Sequence, residues 1–235
     1  MKQFLLASAL SVLSATAANA GVVVSSSADI MISVDQAAPL DAEAALLASL
    51  DTSVTESFEG FAVGGGLTTL STAVGEFNAV AAGQQGLQFA IGAGNITGRE
   101  GVAGPQFFES LDLLSVTLDI AGLGFDFDAL GFFLQDPSDQ GATFEILFAD
   151  GELASAFVQF ENEPNGQLSY ISAMFAKPID QLTISFANID NDKNDGFGLD
   201  DITLGRKTTD VAEPGLLGLF GLGLLGLGFA ARRRG

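Results

Sequence analysis

The residues best suited to chemistry are oxygen donors near the C-terminal end of the chain. Asp190, Asp192 and Asn194 stand at alternating positions, and Asp201 is the twelfth residue counted from Asp190. Such a run suits calcium, a hard cation that takes roughly six to eight oxygen ligands. We therefore predict a calcium-binding loop here, with Ca2+ as cofactor. The alternative is an Asx-rich turn, because Asp and Asn side chains also bond their own backbone.

The spacing of these donors matches an EF-hand loop, but other features do not. Asp195 occupies the position at which an EF-hand needs Gly for its sharp turn, and the last ligand is normally Glu rather than Asp. The flanking segments also have the pattern of strands rather than helices. We therefore reject the EF-hand and expect a calcium loop carried by β-structure.

The composition excludes several other kinds of site. The 235 residues include no Cys, His or Trp, which excludes a Ser-His-Asp triad, a Cys-His nucleophile and a thiolate or imidazole zinc site. The formal net charge is −20, from 9 basic and 29 acidic residues, and it argues against a nucleic-acid partner. Of the kinds of site considered, those built from carboxylates remain.

The elements that must position these donors are predicted to be strands, because from Thr52 onward the sequence pattern has a period of two. Apolar and polar residues alternate at 114–120, 125–128, 143–148 and 182–186, which places one set on a buried face. Many short strands at this spacing predict an all-β fold, an antiparallel β-sandwich of the jelly-roll type. The 20 Phe residues are then mostly core.

Turn-forming clusters separate these strands. Asp150-Gly151 predicts a two-residue hairpin, Asn165-Gly166 ends a short loop, and the acidic turn 136–141 is expected to close another. The segment before the strands is less regular. Gly21–Ser27 is interpreted as an edge strand or a flexible lead, and Asp41–Leu50 has helix composition with Asp41 as its N-cap.

The first twenty residues predict a secretory signal. Lys2 supplies the positive start, a short apolar stretch follows, and Ala18 and Ala20 give the small-x-small pattern that signal peptidase requires. The mature chain is expected to begin at Gly21.

The last residues predict a membrane segment. Residues 215–231 are only Gly, Leu, Phe and Ala, and a helix of this length spans roughly 25 Å, near the lower limit for a bilayer. Arg232, Arg233 and Arg234 follow, and a basic cluster holds that end in the cytoplasm. The body between the two ends, residues 21–210, keeps 5 basic and 28 acidic residues, a net charge of −23.

Together with Glu213 and Pro214, which precede the apolar run, this tail resembles the PEP-CTERM sorting signal of Gram-negative bacteria. The resemblance covers about residues 211–234. It departs from the family motif at Ala212, where the family has a first Pro. The resemblance implies an exosortase that recognises the tail in the inner membrane and removes it, and an association with exopolysaccharide.

The body also has a looser resemblance to secreted jelly-roll domains, including carbohydrate-binding-like sandwiches. It rests on the closing segment Gly198–Leu204 and on an opening Phe58-Glu59 pair. In such folds the first and last strands are neighbours, so that an acidic residue from each can meet at a cation. Because successive strand residues point to opposite faces, only one of Asp200 and Asp201 is expected to face inward. We favour Asp201 as the ligand, with Glu59 as its partner.

These features predict six segments: a signal peptide (1–20), a lead with a short helix (21–51), a β-sandwich (52–206), a linker with the sorting motif (207–214), a transmembrane helix (215–231) and a cytoplasmic tail (232–235).

The function that these segments favour is that of an exported, non-enzymatic protein of the envelope or extracellular matrix. It would be anchored in the inner membrane and then moved to the cell surface or beyond it. The alternatives are a calcium-dependent carbohydrate-binding module and a glycoside hydrolase that uses two carboxylates. No motif for a nucleophile supports the hydrolase.

Overall fold

The structure is a computed structural model, and it describes residues 23–25, 29–34, 38–137, 143–149, 156–161, 164–189 and 196–208. The predicted signal peptide, the predicted donors Asp190, Asp192 and Asn194, and the tail from 209 onward lie outside these residues. The elements in chain order are β1 (Val23–Ser25), β2 (Asp29–Val34), α1 (Ala38–Ala48), β3 (Leu50–Glu56), β4 (Gly64–Leu67), β5 (Thr69–Ser71), β6 (Glu76–Ala81), β7 (Phe89–Ala93), β8 (Gln106–Glu109), β9 (Ser115–Ala121), β10 (Phe127–Gln135), β11 (Thr143–Ala149), β12 (Ala156–Glu161), β13 (Leu168–Ile179), β14 (Gln181–Asn188) and β15 (Gly198–Lys207).

These strands form two antiparallel sheets that face each other, as the periodicity predicts. The first sheet has the order β1-β12-β11-β14-β9-β6-β5. The second has the order β2-β13-β10-β15-β8-β7-β4, and β3 pairs with β15 off this path. Consecutive strands often belong to different sheets, which is the connectivity of a jelly-roll-like sandwich.

The alternation of apolar and polar residues in the sequence matches the alternation of buried and less buried side chains along the strands. In β11 the side chains of Phe144, Ile146 and Phe148 are buried, and β14 buries alternate residues in the same way. These side chains join one apolar cluster between the sheets, in which Phe rings from both sheets meet. Phe132 of the second sheet, for example, contacts Phe186 of the first edge-to-face, with ring centroids 5.6 Å apart.

The turn predicted at Asp150-Gly151 lies outside the described residues. The strands on either side of it, β11 and β12, do pair with each other, with Phe148 opposite Ala156. The short loop predicted at Asn165-Gly166 is present as a turn, closed by a hydrogen bond from the amide of Gln167 to the carbonyl of Pro164. It joins a strand of the first sheet to a strand of the second.

The segment before Thr52 packs with the sandwich. Strands β1 and β2 stand at the edges of the two sheets. The predicted helix is present but runs three residues earlier than expected at its start, so Asp41 lies in the first turn and is not the N-cap. An early start is possible because Pro39 is tolerated in a first turn, and Asp41 there suits the positive end of the helix.

Helix α1 covers the outer face of the second sheet. Leu46 packs there with Ala129, Phe133 and Tyr170 in a second, smaller apolar cluster. Gly131 makes this approach possible, since a Cβ at that position would overlap the Tyr170 hydroxyl and Leu46. Within the described residues, no helix is both long enough and apolar enough to cross a bilayer.

Candidate functional site

The expected pairing of the first body strand with the last one is present. Strand β3 runs antiparallel to β15, with Glu56 opposite Ile202 and Thr55 opposite Thr203. Glu59 lies in the turn after β3 rather than in a strand, and Asp201 lies in β15, so the two predicted ligands come from neighbouring segments. Burial raises the pKa of Asp201, and the charge of Glu59 raises it further, which means that the two carboxylates are electrostatic neighbours.

Burial does not distinguish Asp200 from Asp201, although only one of the two was expected to face inward. They are 0% and 5% exposed. Strand β15 carries a bulge at this point: Phe133 is opposite Asp200 and Gly131 is opposite Thr203, so two residues of β15 oppose one of β10. Asp201 takes the left-handed conformation, with φ at 44°, and the strict alternation of side chains is lost.

Asp200 is held by backbone donors of the loop that follows Gly98. The amide of Val102 donates to its Oδ2 at 2.6 Å, and the amide of Asp201 donates to its Oδ1 at 2.8 Å. Burial nevertheless raises its pKa to about 7, although these hydrogen bonds oppose the shift. Asp200 therefore anchors this loop on the outer face of the second sheet.

Glu43 and Tyr170 complete a group of polar residues beneath α1. Burial, and then the charge of Asp201, raise the pKa of Glu43 to about 7. Burial also raises the pKa of Tyr170, as do the charges of Glu43 and Asp201. The Tyr170 hydroxyl is buried and has no hydrogen-bond partner in the described part of the chain. The electrostatic neighbours of Asp201 thus include residues of the helix, the sheet and the loop after β3.

This group does not make a calcium site from the described residues alone. No three carboxylates among them converge closely enough to hold a metal ion. One oxygen of Glu59 also accepts a hydrogen bond from the amide of Gln106 at 2.8 Å. A calcium ion at Asp201 would need oxygen ligands from 190–195, outside the described residues, and the calcium loop stays a prediction.

A buried ion-pair centre, which the sequence does not predict, lies at the other side of the same loop. Arg99 is 6% exposed; its Nε and Nη1 lie 3.0 Å from the carboxylates of Glu109 and Asp136, respectively. Its Nη1 also donates to the carbonyl of Gly196 at 2.9 Å. Burial raises the pKa of Glu109, and the charge of Arg99 opposes that shift. The one signal for this centre in the sequence is that Arg99 is the first basic residue after Lys2.

Asp136, the first residue of the predicted acidic turn, is therefore part of the scaffold, while the rest of that turn from 138 onward lies outside the described residues. Asp136 is 2% exposed, and besides Arg99 it receives a hydrogen bond from the amide of Gly166 at 2.8 Å. Next to it, the Gln135 side chain bonds both the amide and the carbonyl of Glu100. These contacts tie the turn after β10 to the loop after Gly98 and to the turn before β13.

Aromatic side chains offer no platform for a sugar in the described part of the chain. Each Phe side chain described there is either buried or packed against the apolar core. Tyr170, the one Tyr of the sequence, is 1% exposed. Stacking of a sugar face on a ring would need an exposed ring.

Comparison with known proteins identifies the tail. Residues 210–234 match the family model of the PEP-CTERM protein-sorting motif, as the resemblance predicted. No curated protein matches the chain in sequence. Among solved structures, the chain is similar to a family 11 carbohydrate-binding module from Clostridium thermocellum in complex with a β-1,3-1,4-mixed-linked tetrasaccharide. The identity is 10%, the match covers 75% of this chain and 96% of that chain, and the TM-score is 0.26.

The fold and the tail together define an antiparallel β-sandwich protein with a C-terminal sorting signal. That signal is the PEP-CTERM motif, which indicates an exported protein that an exosortase sorts to the cell surface. Membrane anchoring before processing agrees with the apolar run that follows Pro214.

Proposed function

We propose that this protein is a non-enzymatic component of the cell envelope or extracellular matrix, delivered there by its sorting tail. The observation that carries the proposal is the match of residues 210–234 to the sorting motif. Signal peptidase would cut after Ala20, and an exosortase would act at the motif that contains Glu213 and Pro214. The mature product would be an acidic sandwich with a net charge of −23.

A structural role suits the described surface better than a lectin role does. Several buried carboxylates have roles inside the fold: Asp200 holds a loop, and Glu109 and Asp136 neutralise Arg99. A high negative charge keeps such a domain soluble and monomeric, and it draws cations around it. Association with exopolysaccharide, and calcium bound at 190–201, belong to this proposal as its finer parts.

Calcium-dependent carbohydrate binding is the alternative function. Without an exposed ring in the described part of the chain, a sugar would have to be held by hydrogen bonds or through calcium. A glycan array probed with and without calcium separates the two roles. Calcium-dependent binding to a defined glycan would favour the alternative over the structural role.

Substitution of the motif tests the sorting proposal in cells that contain an exosortase. The variant Glu213→Ala with Pro214→Ala should stay in the inner-membrane fraction, while the wild-type chain moves to the surface or the medium. The matched control is Ala212→Pro, which brings the motif to the family sequence and should be sorted at least as well as the wild type. Release of the double-alanine variant to the same extent as the wild-type chain would contradict the proposal.

A further inference from the structure

The outer side of α1 exposes apolar residues although its inner side is already packed on the sheet. Leu40 and Leu47 are 47% and 41% exposed, and Ala44 between them is exposed as well. Helix positions seven apart differ by about 20° in direction, and positions four apart are neighbours, so the three side chains form one stripe. The described residues leave this stripe uncovered, so the helix has a second apolar surface besides the one packed on the sheet.

The described chain ends beside this helix. The amide of Thr208 donates to the carbonyl of Ser49 at 2.9 Å, and Ser49 directly follows the last residue of α1. Only residues 209–214 separate Thr208 from the apolar run at 215–231, and fully extended they reach about 20 Å. Helix α1 has 11 residues and is therefore about 16 Å long. The apolar stripe thus lies within reach of the place where the apolar run begins.

We propose that the stripe of Leu40, Ala44 and Leu47 rests on the lipid surface while residues 215–231 are inserted in the membrane. The sandwich then lies on the outer face of the inner membrane, and residues 211–214 connect the sandwich to the inserted segment. This inference rests on the proposed function, because an inserted tail is what keeps the helix near the bilayer. Two Leu side chains bind lipid weakly on their own, but a short tether gives them a high effective concentration at the surface.

The contact is apolar rather than electrostatic. A body with a net charge of −23 is repelled by anionic lipid, and salt screens that repulsion. Added salt should therefore leave the contact intact, whereas it would release a contact made by basic residues. A second copy of the chain fits the stripe less well, since it would bring another body of −23 against the first.

The absence of Trp from the sequence allows a direct test. The full chain is reconstituted into vesicles of phosphatidylethanolamine with a minority of phosphatidylglycerol, part of it brominated on the acyl chains. One variant carries Leu47→Trp; the control carries Val80→Trp, at a residue that is 55% exposed on β6 of the other sheet. Flotation with the vesicles checks insertion of the tail, and unchanged melting checks the fold of each variant.

We expect the brominated lipid to quench the Leu47→Trp emission several-fold more than the Val80→Trp emission, at low and at high salt. Equal quenching of the two variants would overturn the docking while leaving the anchoring intact. A blue-shifted Leu47→Trp emission without quenching would also overturn it, because the stripe would then be covered by protein. Failure of the chain to float with the vesicles would contradict the proposed anchoring and the docking together.

Discussion

Removal of Arg99 should destabilise the sandwich more than removal of any exposed charge. Arg99→Met leaves the carboxylates of Glu109 and Asp136, which are 1% and 2% exposed, buried without this partner. Breaking a buried ion pair by deleting one member costs about 3 to 5 kcal/mol of unfolding free energy. At about 2 to 4 °C per kcal/mol for a domain of this size, the melting temperature should fall by roughly 6 to 20 °C.

The assay is urea and thermal unfolding of residues 21–210, followed by circular dichroism. The control is Lys177→Met, because Lys177 is an exposed cation and its loss should change the free energy of unfolding by less than about 0.5 kcal/mol. The loss of unfolding free energy in Arg99→Lys should lie between the losses in Arg99→Met and Lys177→Met. A single ammonium cannot hold both carboxylates in the geometry of the guanidinium fork.

The pH dependence of this loss gives a second check. Arg99 opposes the rise that burial causes in the pKa of Glu109, so its removal should raise that pKa further. The variant should therefore recover part of its stability at acid pH, where Glu109 can be buried as a neutral acid. A loss below about 1 kcal/mol, or a loss of the same size at all pH values, would refute the reasoning.

Three further predictions concern the layer under α1. Glu43 and Asp200 have pKa values raised to about 7, so the folded state holds more protons than the unfolded state between about pH 4 and pH 7. Stability should therefore fall as pH rises through that window. Glu43→Gln should make the melting temperature depend less on pH. If the predicted calcium loop exists, a calcium titration should raise the melting temperature and Asp201→Asn should remove the rise, whereas an unchanged melt in EDTA and calcium would count against it. Gly131→Ala should cost about 1 to 3 kcal/mol because its Cβ overlaps side chains beneath the helix, while Gly60→Ala, with open space around it, should be near neutral in the same unfolding assay.

Periodicity predicted the sandwich because each core strand buries one face. The burial of Phe144, Ile146 and Phe148 follows directly from their spacing. Spacing could not predict the bulge at Asp201, since an unpaired residue with positive φ leaves no mark on a pattern of apolar and polar letters. Strict side-chain alternation is lost wherever one strand carries an extra residue, and here it is lost at the predicted ligand Asp201.

The ion-pair centre was out of reach of the sequence for a different reason. Glu109 and Asp136 lie 10 and 37 positions after Arg99, and only the assembly of the second sheet brings them together. In a body with 28 acidic residues, no rule of spacing selects these two as the partners. The sorting tail was predictable because its three parts are contiguous in the chain and need no tertiary structure to be recognised.

The most direct test of the sorting account is the intact mass of the protein recovered from the envelope of cells with and without an exosortase. With the exosortase, the account predicts a product that has lost residues 1–20 and has been cut near the motif at Glu213 and Pro214. Without the exosortase, it predicts a membrane-bound product that has lost the signal but keeps the whole tail. An intact chain found only in the cytoplasm, or the same mass in both strains, would contradict the account.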